Sequence, residues 1–292
     1  MTLQLGILLA LGCAFATNLG FLYKHRGACA APPVDIRHPY KSARGLFGCV
    51  WFALGMLVAT AAWGLHVAAL ALAPMSVVQV VLAAGLVLLA VMADRLFGFE
   101  VGKRQWIGLA LTAAGLVLVA LTLPATHGSH SSYSLAAMCA FEAGLFGLGG
   151  LLILGPRVGA PAEHHGVMLG AASGVLFGVS DVSIKALTGL VGMHGAMGLL
   201  SPWLFVAIAA SIVAFYASAR GLQDGDAVPV IAVTGTAANV AGVAGGIIVF
   251  GDPLPGDALG IVIQAAAFIM VIVASALTPA PVRAAQAAAA TA

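Results

Sequence analysis

The chain has 292 residues, of which 62% are hydrophobic and 8% charged, and its mean hydropathy is +1.09. Ordinary soluble domains carry about 25% charged residues, so a soluble enzyme and a disordered chain are both excluded. Unbroken apolar runs argue against an outer-membrane barrel, which needs alternating segments of roughly ten residues. A net charge of +2 is too small to imply a nucleic-acid partner. What remains is an all-α integral membrane protein.

A membrane span needs about 20 apolar residues. Nine runs qualify: 3–22, 46–67, 75–93, 105–123, 134–154, 166–188, 199–219, 227–250 and 257–277. The expected fold is therefore a nine-span helical bundle, with room for a tenth span. In the first run, Ala14-Phe15-Ala16 resembles a leader cleavage site, but the run continues to Leu22 and its positive charge follows it, in YKHRG. That is the reverse of a leader's charge order, so the run is expected to stay as a membrane helix. Pro74 divides the apolar stretch 46–93 into two spans joined by a tight turn. Cys13, Cys49 and Cys139 lie in apolar runs and Cys29 in the first polar loop; none forms a C-x-x-C pair, so they read as small embedded side chains.

Twelve Lys and Arg are present, and with nine spans all but Lys185 fall on one side. Lys24, Arg26, Arg37, Lys41 and Arg44 follow span 1; Arg95, Lys103 and Arg104 follow span 3; Arg157, Arg220 and Arg283 follow spans 5, 7 and 9. The positive-inside rule then puts the N-terminus outside and the C-terminus in the cytoplasm, in the cell membrane. The Ala-rich tail 280–292 is expected to be disordered.

The two halves of the chain resemble each other. GILLALGCAFATNLGFLYK ends at Lys24, and GVMLGAASGVLFGVSDVSIK ends at Lys185. FGFEVGKRQWIG at 97–108 matches FGDPLPGDALG at 250–260, and each turn leads to a run ending in Leu-Thr before a proline. This divides the chain into a first repeat at 1–123 (spans 1–4), a linking span 5 at 124–160, and a second repeat at 161–279 (spans 6–9). The single linking span inverts the second half, an arrangement that secondary transporters use to build a midplane site.

The stretches LGFLYKHRG, VAALALAPMSVVQVVLAAG, the inner turn with Glu100, IGLALTAAGLVLVAL and VSIKALTGL carry a family resemblance. Over residues 3–277 the chain resembles the drug/metabolite transporter (DMT, EamA-like) superfamily, and in layout the NIPA-type magnesium transporters. The resemblance implies two inverted four-span repeats and transport of a small solute or a divalent cation. The chain departs from the NIPA-type pattern late in span 2, where an acidic residue is replaced by Trp63, with His66 three residues on.

Polar residues at membrane depth are the candidate pathway. A charge there costs at least about 2.5–3.5 kcal/mol on insertion scales. Asp181 continues a small-residue stripe, Gly170, Gly174 and Gly178, that marks a helix-packing face, so it should point into the bundle. It reads as a proton or cation site, or as an i,i+4 ion pair with Lys185. Glu142, in CAFEAGLFGLGG, has no Lys or Arg within a turn; it reads as a proton-coupling carboxylate or as a packing residue. Asn18 is the counterpart of Asp181 in the first half, able to ligate a solute or to bond across to span 6. His66 shares a stripe with Gly55, Ala59 and Ala62 and reads as a proton relay or as an interfacial histidine near the outer end. Trp63 suits an interface anchor or a pathway wall. Gln79, Asn239 and Gln264 each suit a structural role, and together could line a polar cavity. Asp181, Glu142 and Asn18 form the candidate metal set, since magnesium takes hard oxygen ligands.

His127 and His130, His164-His165, and the turn residues Asp252 and Asp257 carry weaker signals. No phosphate-binding loop, H-E-x-x-H or G-x-S-x-G motif is present, so no cofactor and no catalytic residue is expected. An intramembrane enzyme would need a catalytic pair, for which Glu142 with His66 is the one candidate, and a non-transporting scaffold would not need buried carboxylates. The expected partners are the lipid bilayer and a small solute or cation; a homodimer stays open.

Overall fold

The structure is a computed structural model that describes residues 2–35, 37–83, 85, 92, 103–122, 131–161, 164–225, 227–252 and 254–276. Among them are ten α-helices: α1 (Thr2–Ala30), α2 (Pro39–Phe47), α3 (Val50–Leu72), α4 (Met75–Ala83), α5 (Lys103–Thr122), α6 (Leu135–Ile153), α7 (His165–His194), α8 (Pro202–Asp224), α9 (Ala227–Ile248) and α10 (Ala258–Ala276). No strand occurs among the described residues. Six helices, α1, α3, α6, α7, α8 and α9, are long and apolar enough to cross a membrane. A helix satisfies its own backbone polar groups, which is what the hydrocarbon layer demands. The chain is a multi-pass membrane protein. The turn at 97–100 with Glu100, most of the expected third span beyond Ala83, the histidines 127 and 130, and the tail lie outside the described residues.

α7 is the central helix. Over its most apolar stretch 72% of residues are buried inside the bundle, against 17% for the outlying α6. α7 packs against α8, α9 and α6, α1 lies along α3, α4 meets α9, and α5 pairs with α10. The glycine stripe makes the α7–α9 contact: a Cβ at Gly174 would run into the Thr234 carbonyl, and one at Gly178 into Ala241. Without a hydrophobic drive between helices in lipid, this close approach is what holds them together.

The start of the bundle differs from the sequence expectation. α1 runs past Leu22 to Ala30, so Lys24, Arg26 and Cys29 lie on a helix and not in a loop. Nothing in KHRGACA breaks a helix; Pro32-Pro33 does. At about 1.5 Å per residue α1 is roughly 44 Å long, longer than a hydrocarbon core of about 30 Å. α3 stops at Leu72 because Pro74 follows and the residue before a proline avoids helical backbone; Ala73 is extended, with φ −136° and ψ 157°.

The two ends of the bundle are built differently. At the basic end, Gln223 of α8 donates to the Ala28 and Pro32 carbonyls and accepts from Val34 N–H, while Arg220 donates to the Val34 carbonyl and Tyr216 to that of Pro39. Phe21, Leu22, Phe52 and Leu222 form its apolar cluster. At the opposite end, Met75, Met138, Trp203 and Phe250 pack together, and Trp203 donates through Nε1 to the Tyr133 hydroxyl at 2.7 Å. Between these two apolar clusters lies a polar cavity.

Candidate functional site

The cavity has a volume of about 210 Å³ and takes its walls from α1, α3, α4, α7 and α9. Asn18, His66, Gln79, Asp181 and Asn239, expected from sequence at five separate places, all line it. Asp181 is the residue on which two of the others converge. His66 Nε2 lies 3.0 Å from Asp181 Oδ1, and Gln79 Nε2 donates to Oδ2 at 3.0 Å. Each carboxylate oxygen thus meets a partner from a different helix, which offsets the cost of a charge at this depth. Asp181 is four residues from the midpoint of the run 166–188, about 6 Å along the helix axis.

Close packing sets this geometry. A Cβ at Gly242 of α9 would sit 2.5 Å from Gln79 Cγ and Cδ, so only glycine there lets the amide lie against α9 and reach Asp181. Three atoms of the cluster are buried and without hydrogen bonds among the described residues: Gln79 Oε1, His66 Nδ1 and His66 Nε2, the last held against Asp181 by charge and proximity alone. Buried polar atoms are normally satisfied, so such a set marks a place where water, a proton carrier or a solute completes the bonding. A carboxylate held by an imidazole and an amide can exchange a proton or receive a cation.

Several expectations need correction. Asp181 and Lys185 do not pair. Lys185 is buried, and its Nζ donates to the Leu70 carbonyl at 2.7 Å and the Ala73 carbonyl at 3.1 Å, at the end of α3. In a continuing helix the Leu70 carbonyl would accept from residue 74, but Pro74 has no N–H; Lys185 supplies the missing donor. His66 is buried in the bundle, against Asp181. Asn18 does not bond to span 6: its Nδ2 donates to Ala14 O at 2.8 Å and Gly85 O at 3.0 Å, tying α1 to the third span.

Glu142 stands apart from the cavity. It is buried on α6 and accepts from Ser183 Oγ at 2.6 Å. Ser183 follows Asp181 by two residues, about 200° around α7, so the two carboxylates face different sides of that helix. The metal set Asp181, Glu142 and Asn18 is therefore not assembled, nor is a Glu142–His66 pair. Among the described residues no group of three His, Cys, Asp or Glu side chains could hold a metal ion. Gln264 is buried on α10 and does not line the cavity. Asp252 is also buried, whereas exposed Asp257 accepts from Gly260 N–H at the start of α10. His165 sits 3.9 Å from Asp224 at the basic end.

Sequence reasoning missed Lys24, Phe21, Thr17 and Thr234, which also line the cavity. Thr234 spends its hydroxyl on the Gly170 and Val230 carbonyls. Lys24 was assigned to a loop by its charge; its alignment with Lys185 in the repeat was the available signal. Trp63 lines the cavity and is 56% exposed, so it is both wall and part of the bundle's surface.

Comparison with known proteins agrees with a membrane transporter. The chain is 27% identical over 257 residues to the "Probable magnesium transporter NIPA9" of Arabidopsis thaliana, covering 85% of this chain and 74% of that one. It is also 27% identical over 201 residues to an uncharacterised protein of Corynebacterium glutamicum, covering 68% of each. No family model matches, and no solved structure matches. The likeness supports a transporter family.

Proposed function

We propose that this protein is a secondary transporter of a small solute or divalent cation, working by alternating access in the manner of the DMT superfamily. The observation that carries the reading is the His66–Asp181–Gln79 cluster in a cavity lined by five helices. Asp181 is the binding or coupling carboxylate, His66 holds or passes its proton, and Asn18, Gln79 and Asn239 give the cavity its polar wall. Lys185 fastens the end opposite the basic loops, and Glu142 braces α6 on α7.

The proposed layout is nine spans in the cell membrane, with the N-terminus outside, the C-terminus cytoplasmic, and four-span repeats at 1–123 and 161–279 joined by span 5. Its support is the packing. α1 lies along α3 as α7 lies along α8, and α5 pairs with α10 as equivalent partners would. Lys24 and Lys185 end matching segments yet lie toward opposite ends, as inversion requires.

A second reading is favoured by one comparison: the Arabidopsis relative is named as a magnesium transporter. Magnesium is commonly held by one or two carboxylates while keeping several waters. At about 30 Å³ per water, a cavity of about 210 Å³ has room for a hydrated ion. Uptake by the purified protein in liposomes separates the two. Magnesium is compared with a panel of small polar metabolites, each with and without a pH gradient. Accumulation of any of them above empty liposomes supports transport, and failure of every one under both conditions refutes it.

A further inference from the structure

Two lysines are buried among the membrane helices, and they are used differently. Lys185 gives its Nζ hydrogens to the Leu70 and Ala73 carbonyls. Lys24 is 8% exposed, and among the described residues its Nζ makes no hydrogen bond or ion pair; it lies 3.7 Å from the centroid of the Phe21 ring. A ring face attracts a cation but cannot replace the oxygen ligands an ammonium loses when it leaves water.

The direction of the side chain is informative. A lysine near a helix end normally extends its cation toward the membrane surface. Lys24 instead folds back over Phe21, one turn toward the middle of the membrane. Its stem is fixed where α1 crosses α3: a Cβ at Gly55 would be 2.7 Å from Lys24 N and 2.8 Å from its Cγ. The same lysine lines both the central cavity and an adjoining crevice of about 360 Å³ that holds Ser211 and Ser218. The central cavity thus presents a cation from α1 and a carboxylate, Asp181, from α7. Asn239 adds an amide with no hydrogen bond among the described residues.

We infer that the cargo is a small organic solute bearing an oxyanion, a carboxylate or a phosphate, whose charge pairs with Lys24. A bare divalent cation would enter against the like charge of Lys24, with one carboxylate to hold it. This rests on the transport reading above and narrows its substrate class.

The test is binding to the purified full chain in nanodiscs, by titration calorimetry with sodium acetate, glycine, inorganic phosphate, ethylammonium chloride and magnesium chloride. At least one of the three oxyanion probes should bind, and its affinity should fall by about tenfold or more in Lys24→Met, which keeps the apolar stem. Acetate against phosphate distinguishes carboxylate from phosphate cargo. A second measurement needs no variant: acylation of Lys24 by an amine-reactive reagent, read by mass spectrometry, should be slowed by the binding oxyanion and not by magnesium. The inference is overturned if no oxyanion binds, if Lys24→Met binds equally well, or if magnesium protects Lys24 and the oxyanions do not. Binding of an oxyanion without translocation of any probe would sink the transport reading and leave the Lys24 site standing. Magnesium uptake unchanged in Lys24→Met, with no oxyanion bound, would do the reverse.

Discussion

Replacing Lys185 by methionine isolates the contact that joins α7 to the end of α3. The substitution keeps an apolar chain of similar length and removes the donor to two buried carbonyls, at 2.7 and 3.1 Å. An unsatisfied buried acceptor costs about 1–3 kcal/mol, giving about 2–6 kcal/mol for two. Asp252, whose charge acts on Lys185, also loses an opposing cation. Against this, the folded protein no longer has to bury an ammonium, a burden of several kcal/mol in its own right. The Leu70 carbonyl decides the balance, because Pro74 cannot replace the lost donor. The net expectation is a loss of about 2 kcal/mol, which lowers Tm by about 3–4 °C in a chain of this size. Lys185→Gln, which retains a neutral N–H donor, should recover about half of that. Thermal unfolding in detergent, followed by tryptophan fluorescence, measures both. A Tm for Lys185→Met equal to or above the parent's would show that Lys185 is a net desolvation burden and not a cap on α3.

Helix packing makes two opposite predictions for glycine. Gly174→Ala drives a methyl into the Thr234 carbonyl and should cost about 1–3 kcal/mol, whereas Gly64→Ala, with nothing within 4 Å, should gain about 0.5–1 kcal/mol from helix propensity; the same melts read both. Glu142→Gln keeps the Ser183 bond and lies off the cavity, so uptake should stay within about twofold of the parent; a proton-driven uptake lost in this variant alone would make Glu142 the coupling group. Tyr40 and Met197 are exposed at opposite ends of the bundle. With each replaced by cysteine in a cysteine-free background, an impermeant reagent applied to intact cells should label position 197 only, and labelling at 40 would reverse the orientation.

What the sequence made legible was set by local spacing. The runs 46–67, 134–154, 166–188, 199–219 and 227–250 overlie α3, α6, α7, α8 and α9, because apolar length alone decides what lipid accepts. The direction of Asp181 was legible too, since Gly170, Gly174 and Gly178 show which face of α7 meets a neighbour. Partners were not. Lys185 reaches carbonyls 112 and 115 residues away, and the reason is a proline in the turn between α3 and α4. Glu142 and Asp181 looked equivalent as buried carboxylates, and only the 200° between Asp181 and Ser183 separates their surroundings. Lys24 was read by its charge as a loop residue, although α1 continues two turns beyond the hydrophobic run.

The central claim is that cargo passes the Asp181 carboxylate. Asp181→Asn retains the shape of the side chain and removes its charge and its ion pair with His66. In liposomes containing equal amounts of folded protein, uptake of the best cargo from the panel should fall by about tenfold or more, at least 1.4 kcal/mol of lost stabilisation. Uptake equal to the parent's, at the same insertion and Tm, would contradict the account and leave the His66–Asp181–Gln79 cluster as helix packing alone.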